Sequence, residues 1–171
     1  GVNTLFNGLL NTPGFDQVDF STLKFTLGGG MAVQRAVADR WKKVTGVTLV
    51  EAYGLTETSP AACINPLDIP EFNGSIGLPL SSTLVCVKDD DGKELANGEV
   101  GELWASGPMI VKGYWNKPEA SAETFIDGWV RTGDLARLDQ EGFLFLVDRA
   151  KDMLIRGGEN IYSSEVEDIL C

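Results

Sequence analysis

The sequence predicts an α/β segment, then a β-rich subdomain built as a small barrel or distorted antiparallel sheet, then the start of a small α+β domain. Three observations carry this. Residues 23–52 run strand, glycine turn, helix, strand. From about Gly77 the chain breaks into short β-rich runs separated by Asp-Gly, Asn-Gly and Glu-Gly turns. A charged run, Asp148-Arg149-Ala150-Lys151-Asp152, is followed by Gly157-Gly158, which reads as an exposed connector at a domain boundary. The expected divisions are 1–78, 79–148 and 149–171.

In the first part, Leu5, Phe6, Leu9 and Leu10 mark a short amphipathic helix, and residues 23–27 read as a strand running into Gly28-Gly29-Gly30. Val33, Ala36, Val37, Trp41 and Val44 then recur at helical spacing, with Arg35, Asp39, Lys42 and Lys43 on the opposite face. Gly46 is placed to cap that helix. Residues 48–52, rich in β-formers, make a second strand, so the unit is a crossover with its two strands parallel. Ligands in such sheets collect beyond the carboxyl ends of the strands, where both the triglycine and Tyr53-Gly54-Leu55-Thr56-Glu57 fall.

In the second part, residues 83–88, 100–105, 135–138 and 143–147 read as strands. A short helix over 118–125 interrupts them, with Asn116 as its expected N-cap. Ser164 and Glu167 offer a capping box for a helix opening at Glu165.

Composition narrows the chemistry. With 171 residues and 43% hydrophobic residues the chain can bury a core. Its net charge of -11 argues against a nucleic-acid partner or a broad anionic-membrane surface, so an anionic ligand must be met locally. The absence of histidine excludes imidazole acid-base chemistry and His-ligated zinc within this segment. Cys63, Cys86 and Cys171 are widely spaced and form no CxxC pair, which fits a reducing cytoplasm. No apolar run is long enough for a membrane span.

Several residues are candidates for chemistry, each with an ordinary structural alternative. Tyr53 to Glu57 supplies an aromatic face, a hydroxyl and a carboxylate, suited to a base, a phosphate and Mg²⁺, or else ends a strand in a turn. The triglycine lets a flat ligand lie against backbone, or makes a structural turn, and it is neither a dinucleotide fingerprint nor a P-loop. Asp134 after Gly133 could accept two ribose hydroxyls or belong to a turn. Arg149 and Lys151 taken singly read as solvated charges.

Taken in order, GGGMAV, EAYGLTE, GELWASGPMIVKGYWNKPE, GWVRTGD and GFLFLVDRAKDMLIRGGENIYSSEVEDIL resemble the core motifs of the adenylate-forming superfamily of acyl-CoA synthetases, peptide-synthetase adenylation domains and luciferases. The resemblance runs from about Leu23 to the end, and the text around GGGMAVQRAVADRW, YGLTETSP and NPLDIPEFNGSIGLPL looks most like bacterial long-chain fatty acid CoA ligases. It implies two half-reactions: a carboxylate attacks the α-phosphate of ATP to give acyl-AMP and pyrophosphate, and the thiol of CoA then displaces AMP. On this reading Tyr53 stacks on adenine, with Gly28, Gly29, Gly30, Glu51, Ala52 and Gly54 around the nucleotide. Thr56 binds phosphate, Glu57 holds Mg²⁺, Asp134 takes the ribose hydroxyls aided by Arg149, and Lys151 is the hinge of a C-terminal lid. The run 156–160 would be the face presented for thioester formation, and Met31, Ala32, Pro60 and Ala61 are candidates to line the acyl tunnel, if they are not simply packed.

The family's phosphate loop is expected upstream of Gly1 and its C-terminal catalytic lysine beyond Cys171, so the chain is expected to be a fragment without useful turnover. Expected partners are a fatty or other carboxylic acid, ATP and CoA. Peripheral contact with the cytoplasmic membrane and a homodimer of the full-length protein complete the expectation. Alternatives within the superfamily are a ligase loading a carrier protein, one acting on an aryl or short acid, and a luciferase-like oxygenase. Outside enzymes, the alternative is a non-catalytic nucleotide-binding or structural module.

Overall fold

The computed structural model describes residues 1–150, together with the backbone of 154–156 and 159–161. The chain divides into two units, Gly1–Leu80 and Ser81–Cys171.

In the first unit, helix α1 (Asn3–Leu10) is followed by strand β1 (Thr26–Gly28), helix α2 (Arg35–Thr45) and strand β2 (Leu49–Tyr53). β1 and β2 are parallel, with Gly28 opposite Glu51, which is the crossover the periodicity predicts. The helices bury Phe6, Leu10, Val37, Ala38 and Trp41 with Val33 and Leu49 in one cluster. Trp41 is its centre: its ring meets Phe6 edge-on at 4.9 Å, and its Nε1–H donates to Thr26 Oγ1 at 3.2 Å. α2 closes through Gly46, whose φ of 76° and N–H donated to Lys42 O at 2.8 Å make the expected left-handed cap.

Two details differ from expectation. β1 begins at Thr26 and takes in the first glycine, because Lys24 and Phe25 are exposed and only Thr26 to Gly28 find partners on β2. On α2 the buried stripe runs through Val37, Ala38, Trp41 and Thr45, so Ala38 faces the core and Ala36 faces solvent. Strands β3 (Cys63–Ile64) and β4 (Leu78–Pro79) extend the sheet in the order β1-β2-β3-β4. At two residues each they are too short to leave a period-2 pattern in sequence.

The second unit is a five-stranded antiparallel sheet. Strands β5 (Leu84–Lys88) and β6 (Gly101–Ser106) precede helix α3 (Pro118–Thr124), then come β7 (Phe125–Ile126), β8 (Trp129–Leu138) and β9 (Leu144–Arg149). The order is β5-β6-β8-β7, and β9 also pairs β8. The tight connection between β8 and β9 is fixed by Asp139, whose Oδ1 accepts the N–H groups of Glu141 at 2.9 Å and Phe143 at 2.8 Å.

The largest departure from the sequence reading is β8. Arg131-Thr132-Gly133-Asp134, where Gly-Asp suggested a turn, lies inside this strand, which starts six residues earlier than the predicted 135–138. α3 also differs: Asn116 sits left-handed at φ 54°, Pro118 takes the first helical position, and the cap residue between them is Lys117, whose ammonium has no acceptor to offer and makes no side-chain cap bond. Phe125 belongs to β7. Residues 154–156 (β10) and 159–161 (β11) form an antiparallel pair where a connector was expected, with Ile155 opposite Asn160. Lys151 and the helix expected from Glu165 lie outside the described residues. Among the described residues, no helix is long and apolar enough to cross a membrane.

Candidate functional site

The first unit gathers the triglycine and the end of β2 at one edge of the sheet. Gly28 is buried, and a Cβ there would meet Leu49 and Val33 side chains at 2.7 Å. Gly29 rests on β2: a Cβ would approach Ala52 O at 2.8 Å. Gly30 is exposed. A side chain at Gly28 or Gly29 would thus crowd Val33, Leu49 or β2, while the backbone of Gly29 is partly exposed and that of Gly30 fully so.

Glu51, at the register position facing Gly28, is 7% exposed, and its Oε1 accepts the Val33 N–H at 3.0 Å. Its side chain thus ties β2 to the segment following the triglycine, leaving its backbone as the part available to a ligand. Burial pushes its carboxyl up to about 7, against the smaller opposing effect of the Val33 N–H. Tyr53 is 8% exposed, so the ring read as a stacking platform presents only a small face. Its backbone carbonyl accepts the Ala62 N–H at 2.9 Å, which turns the chain back along β3.

Between them the chain makes a tight reversal. Gly54 lies against the backbone of Pro60 and Ala61, where a Cβ would overlap the Pro60 carbonyl oxygen and sit 2.7 Å from Ala61 Cα. Only glycine fits. A 3₁₀ turn, Thr56–Thr58, follows. Its pin is Thr58, which the sequence reading did not single out. Thr58 is fully buried, its Oγ1 accepts the Leu55 N–H at 2.9 Å, and its hydroxyl is shared between Leu55 O at 3.0 Å and Pro60 O at 3.1 Å. With Thr58 inside, Thr56 is exposed and Glu57 half-exposed. A hydroxyl and a carboxylate on a fixed turn can bind a phosphate oxygen and a hard cation. Met31, Ala32 and Pro60 are exposed in this segment, and Ala61 is half-buried.

In the second unit Asp134 is buried at 7% exposure and stands opposite Arg149 across β8 and β9, with Arg149 Nε 3.6 Å from its Oδ1. The structure thus brings together the two residues read as a ribose pair. Gly133 takes φ 72°, which glycine adopts without strain, and its carbonyl accepts the Ala150 N–H at 2.9 Å. Two thiols are poor nucleophiles here. Cys63 is buried and its thiol is pushed up to about 12 by desolvation; burial also raises that of Cys86.

Comparison with known proteins adds a family and three relatives. A family model described as AMP-binding enzyme matches residues 1–115. A long-chain-fatty-acid–CoA ligase of Yersinia pestis is 51% identical over 171 residues, covering 100% of this chain and 30% of the relative. Among solved structures, an anthranilate CoA ligase in complex with anthranoyl-AMP superposes with a TM-score of 0.90 at 32% identity, over 99% of this chain and 33% of that one. O-succinylbenzoate coenzyme A synthetase from Bacillus subtilis, in complex with ATP and magnesium ion, gives a TM-score of 0.87 at 34% identity, over 99% and 35%. The chain spans about a third of the length of each.

Proposed function

Because the chain belongs to the AMP-binding enzyme family, we propose that it is a segment of an ATP-dependent long-chain fatty acid:CoA ligase that forms acyl-AMP with release of pyrophosphate and passes the acyl group to CoA. The observation that carries this reading is the 51% identity to a long-chain ligase along the whole chain. In the first unit, Gly30 and the backbone of Glu51, Ala52 and Gly54 line the base, with Tyr53 beneath it. Gly28 and Gly29 keep that edge flat. Thr56 donates to a phosphate oxygen.

The donor set fits Mg²⁺. This ion is held through one or two carboxylates plus phosphate oxygens, and Glu57 is one accessible carboxylate on a fixed turn. When bound, Mg²⁺ offsets the charge of the pyrophosphate leaving group. In the second unit, Asp134 accepts the ribose hydroxyls and Arg149 holds its carboxylate in place. The accepting thiol is that of CoA, a reading supported by the CoA ligases among the relatives. A long-chain acid partitions into lipid, which supports peripheral contact with the cytoplasmic membrane.

A second reading, activation of an aryl acid, is favoured by the likeness to the anthranilate ligase. Pyrophosphate release by the full-length ligase across acid chain lengths, with and without CoA, separates the two. The long-chain reading expects turnover to rise toward long acids and to need CoA for thioester release. Preference for benzoate-type acids would replace it. Lys151→Pro in the same protein is expected to slow thioester formation far more than adenylation, because a hinge must absorb a large backbone change. Equal losses in both half-reactions would remove Lys151 from that role.

A further inference from the structure

We propose that Glu102 is a positioning residue for Asp134, holding the β8 bulge that carries Asp134 in the one conformation that presents its carboxylate. This rests on the ribose role proposed above.

The β6–β8 ladder is irregular just before Leu135. Glu102 pairs with Leu135 and Trp104 with Arg131, so Thr132, Gly133 and Asp134 all lie opposite Leu103 alone. Such a bulge pulls N–H groups out of register with ladder carbonyls, and buried N–H groups need other acceptors. Both are supplied by side chains. Gly133 N–H donates to Glu102 Oε1 at 3.2 Å, and Asp134 N–H donates to Thr132 Oγ1 at 3.1 Å. The Thr132 hydroxyl in turn donates to Leu103 O at 2.7 Å, which anchors the bulge to β6.

Glu102 is itself held on its other oxygen. Its Oε2 accepts Arg131 Nε at 3.1 Å, Arg131 Nη2 at 2.9 Å and Trp104 Nε1 at 3.1 Å. Trp104 is fixed beneath Lys88, whose Nζ lies 4.0 Å from the ring centroid. One carboxylate therefore links Arg131 and Gly133, which flank Thr132 and lead directly into Asp134. Its side chain is 16% exposed and that of Arg131 46%, so solvent screens the ion pair in part, while the bond to Gly133 is partly buried. A surface ion pair with Arg131 would leave Oε1 facing water; here it is given to the bulge.

The test is the ratio of KM for 2′,3′-dideoxy-ATP to KM for ATP in pyrophosphate release by the full-length ligase, which is large while the ribose hydroxyls are bound. Asp134→Ala is expected to shrink that ratio by about tenfold, the worth of one strong hydrogen-bond set. Glu102→Ala should shrink it by most of the same factor, with kcat at saturating ATP changed less than about threefold, and the double variant should match Asp134→Ala alone. Glu102→Gln leaves one acceptor oxygen to serve Gly133 on one side and Arg131 and Trp104 on the other, so it should shrink the ratio by less than Glu102→Ala does. Should Glu102→Ala fail to fold, Thr132→Val removes the acceptor of the Asp134 N–H and is expected to shrink the ratio likewise. A wild-type ratio in Glu102→Ala, or in Thr132→Val where that variant stands in for it, beside a reduced one in Asp134→Ala would overturn the positioning role and leave the ribose role standing. An unchanged ratio in Asp134→Ala would overturn both.

Discussion

Val33 N–H donates to Glu51 Oε1 at 3.0 Å, so the last turn of chain before α2 is fastened to the middle of β2 by a carboxylate that is 7% exposed. The bond rewards the ionised form, but burial penalises it more, and the carboxyl is pushed from 4.5 up to about 7.

A raised carboxylate pKa means that the folded protein binds a proton that the unfolded chain has released. Between pH 4.5 and about 7, stability should therefore fall as pH rises, and level off above that window. The full effect is on the order of 3 kcal/mol. Glu51→Gln, which cannot ionise, is expected to flatten this part of the profile and to be more stable than the parent at pH 8. Urea unfolding at pH 5 and pH 8 measures it, and an identical slope in parent and variant would show that Glu51 does not titrate in this window.

Two glycines should respond to the same substitution with opposite sign. At Gly54 a Cβ would overlap the backbone of Pro60, which cannot swing aside as a side chain would, so Gly54→Ala is expected to destabilise by roughly 3 kcal/mol. At Gly8, inside α1, nothing lies within 4 Å, so Gly8→Ala should stabilise by about 0.5 to 1 kcal/mol. Thermal unfolding of the two variants reports both signs.

Thr58 is isosteric with valine, which isolates its hydroxyl. Thr58→Val leaves the Leu55 N–H without its 2.9 Å acceptor and is expected to cost about 2 kcal/mol. The 3₁₀ turn that presents Thr56 and Glu57 would loosen with it. The adenylation rate should fall about tenfold or more at saturating ATP and Mg²⁺, as misplacement of a reacting group does. Pyrophosphate release and unfolding measured on one preparation give both numbers, and an unchanged rate in a destabilised variant would limit Thr58 to a structural part.

The parallel crossover and the glycine-turn edge were legible in sequence because the stripe of Val37 and Trp41 repeats at 3.6 residues while β2 is a run of β-formers. Glu57 and Asp134 were legible as candidates for the same local reason: each ends a short motif whose residue types suit a ligand. Thr58 and Glu102 were not. Thr58 acts through contacts to Leu55 and Pro60, and Glu102 through residues 29 and 31 positions away, and neither contact has a periodicity to read. The strand status of Arg131 to Asp134 was hidden because a glycine at φ 72° reads as a turn until its neighbours on β6 are known.

By itself the sequence determined the class of fold, the order of its elements and the short motifs that mark the family. Those follow from interactions within a few residues: periodicity, caps and turn chemistry. Only tertiary structure decided which of these groups are occupied by the fold. It set Gly28 and Gly29 close against Val33, Leu49 and β2, turned the Glu51 carboxylate inward to Val33, buried most of Tyr53, and set Asp134 on a bulge opposite Arg149. Burial and long-range hydrogen bonding set those outcomes, and both depend on partners that are distant along the chain.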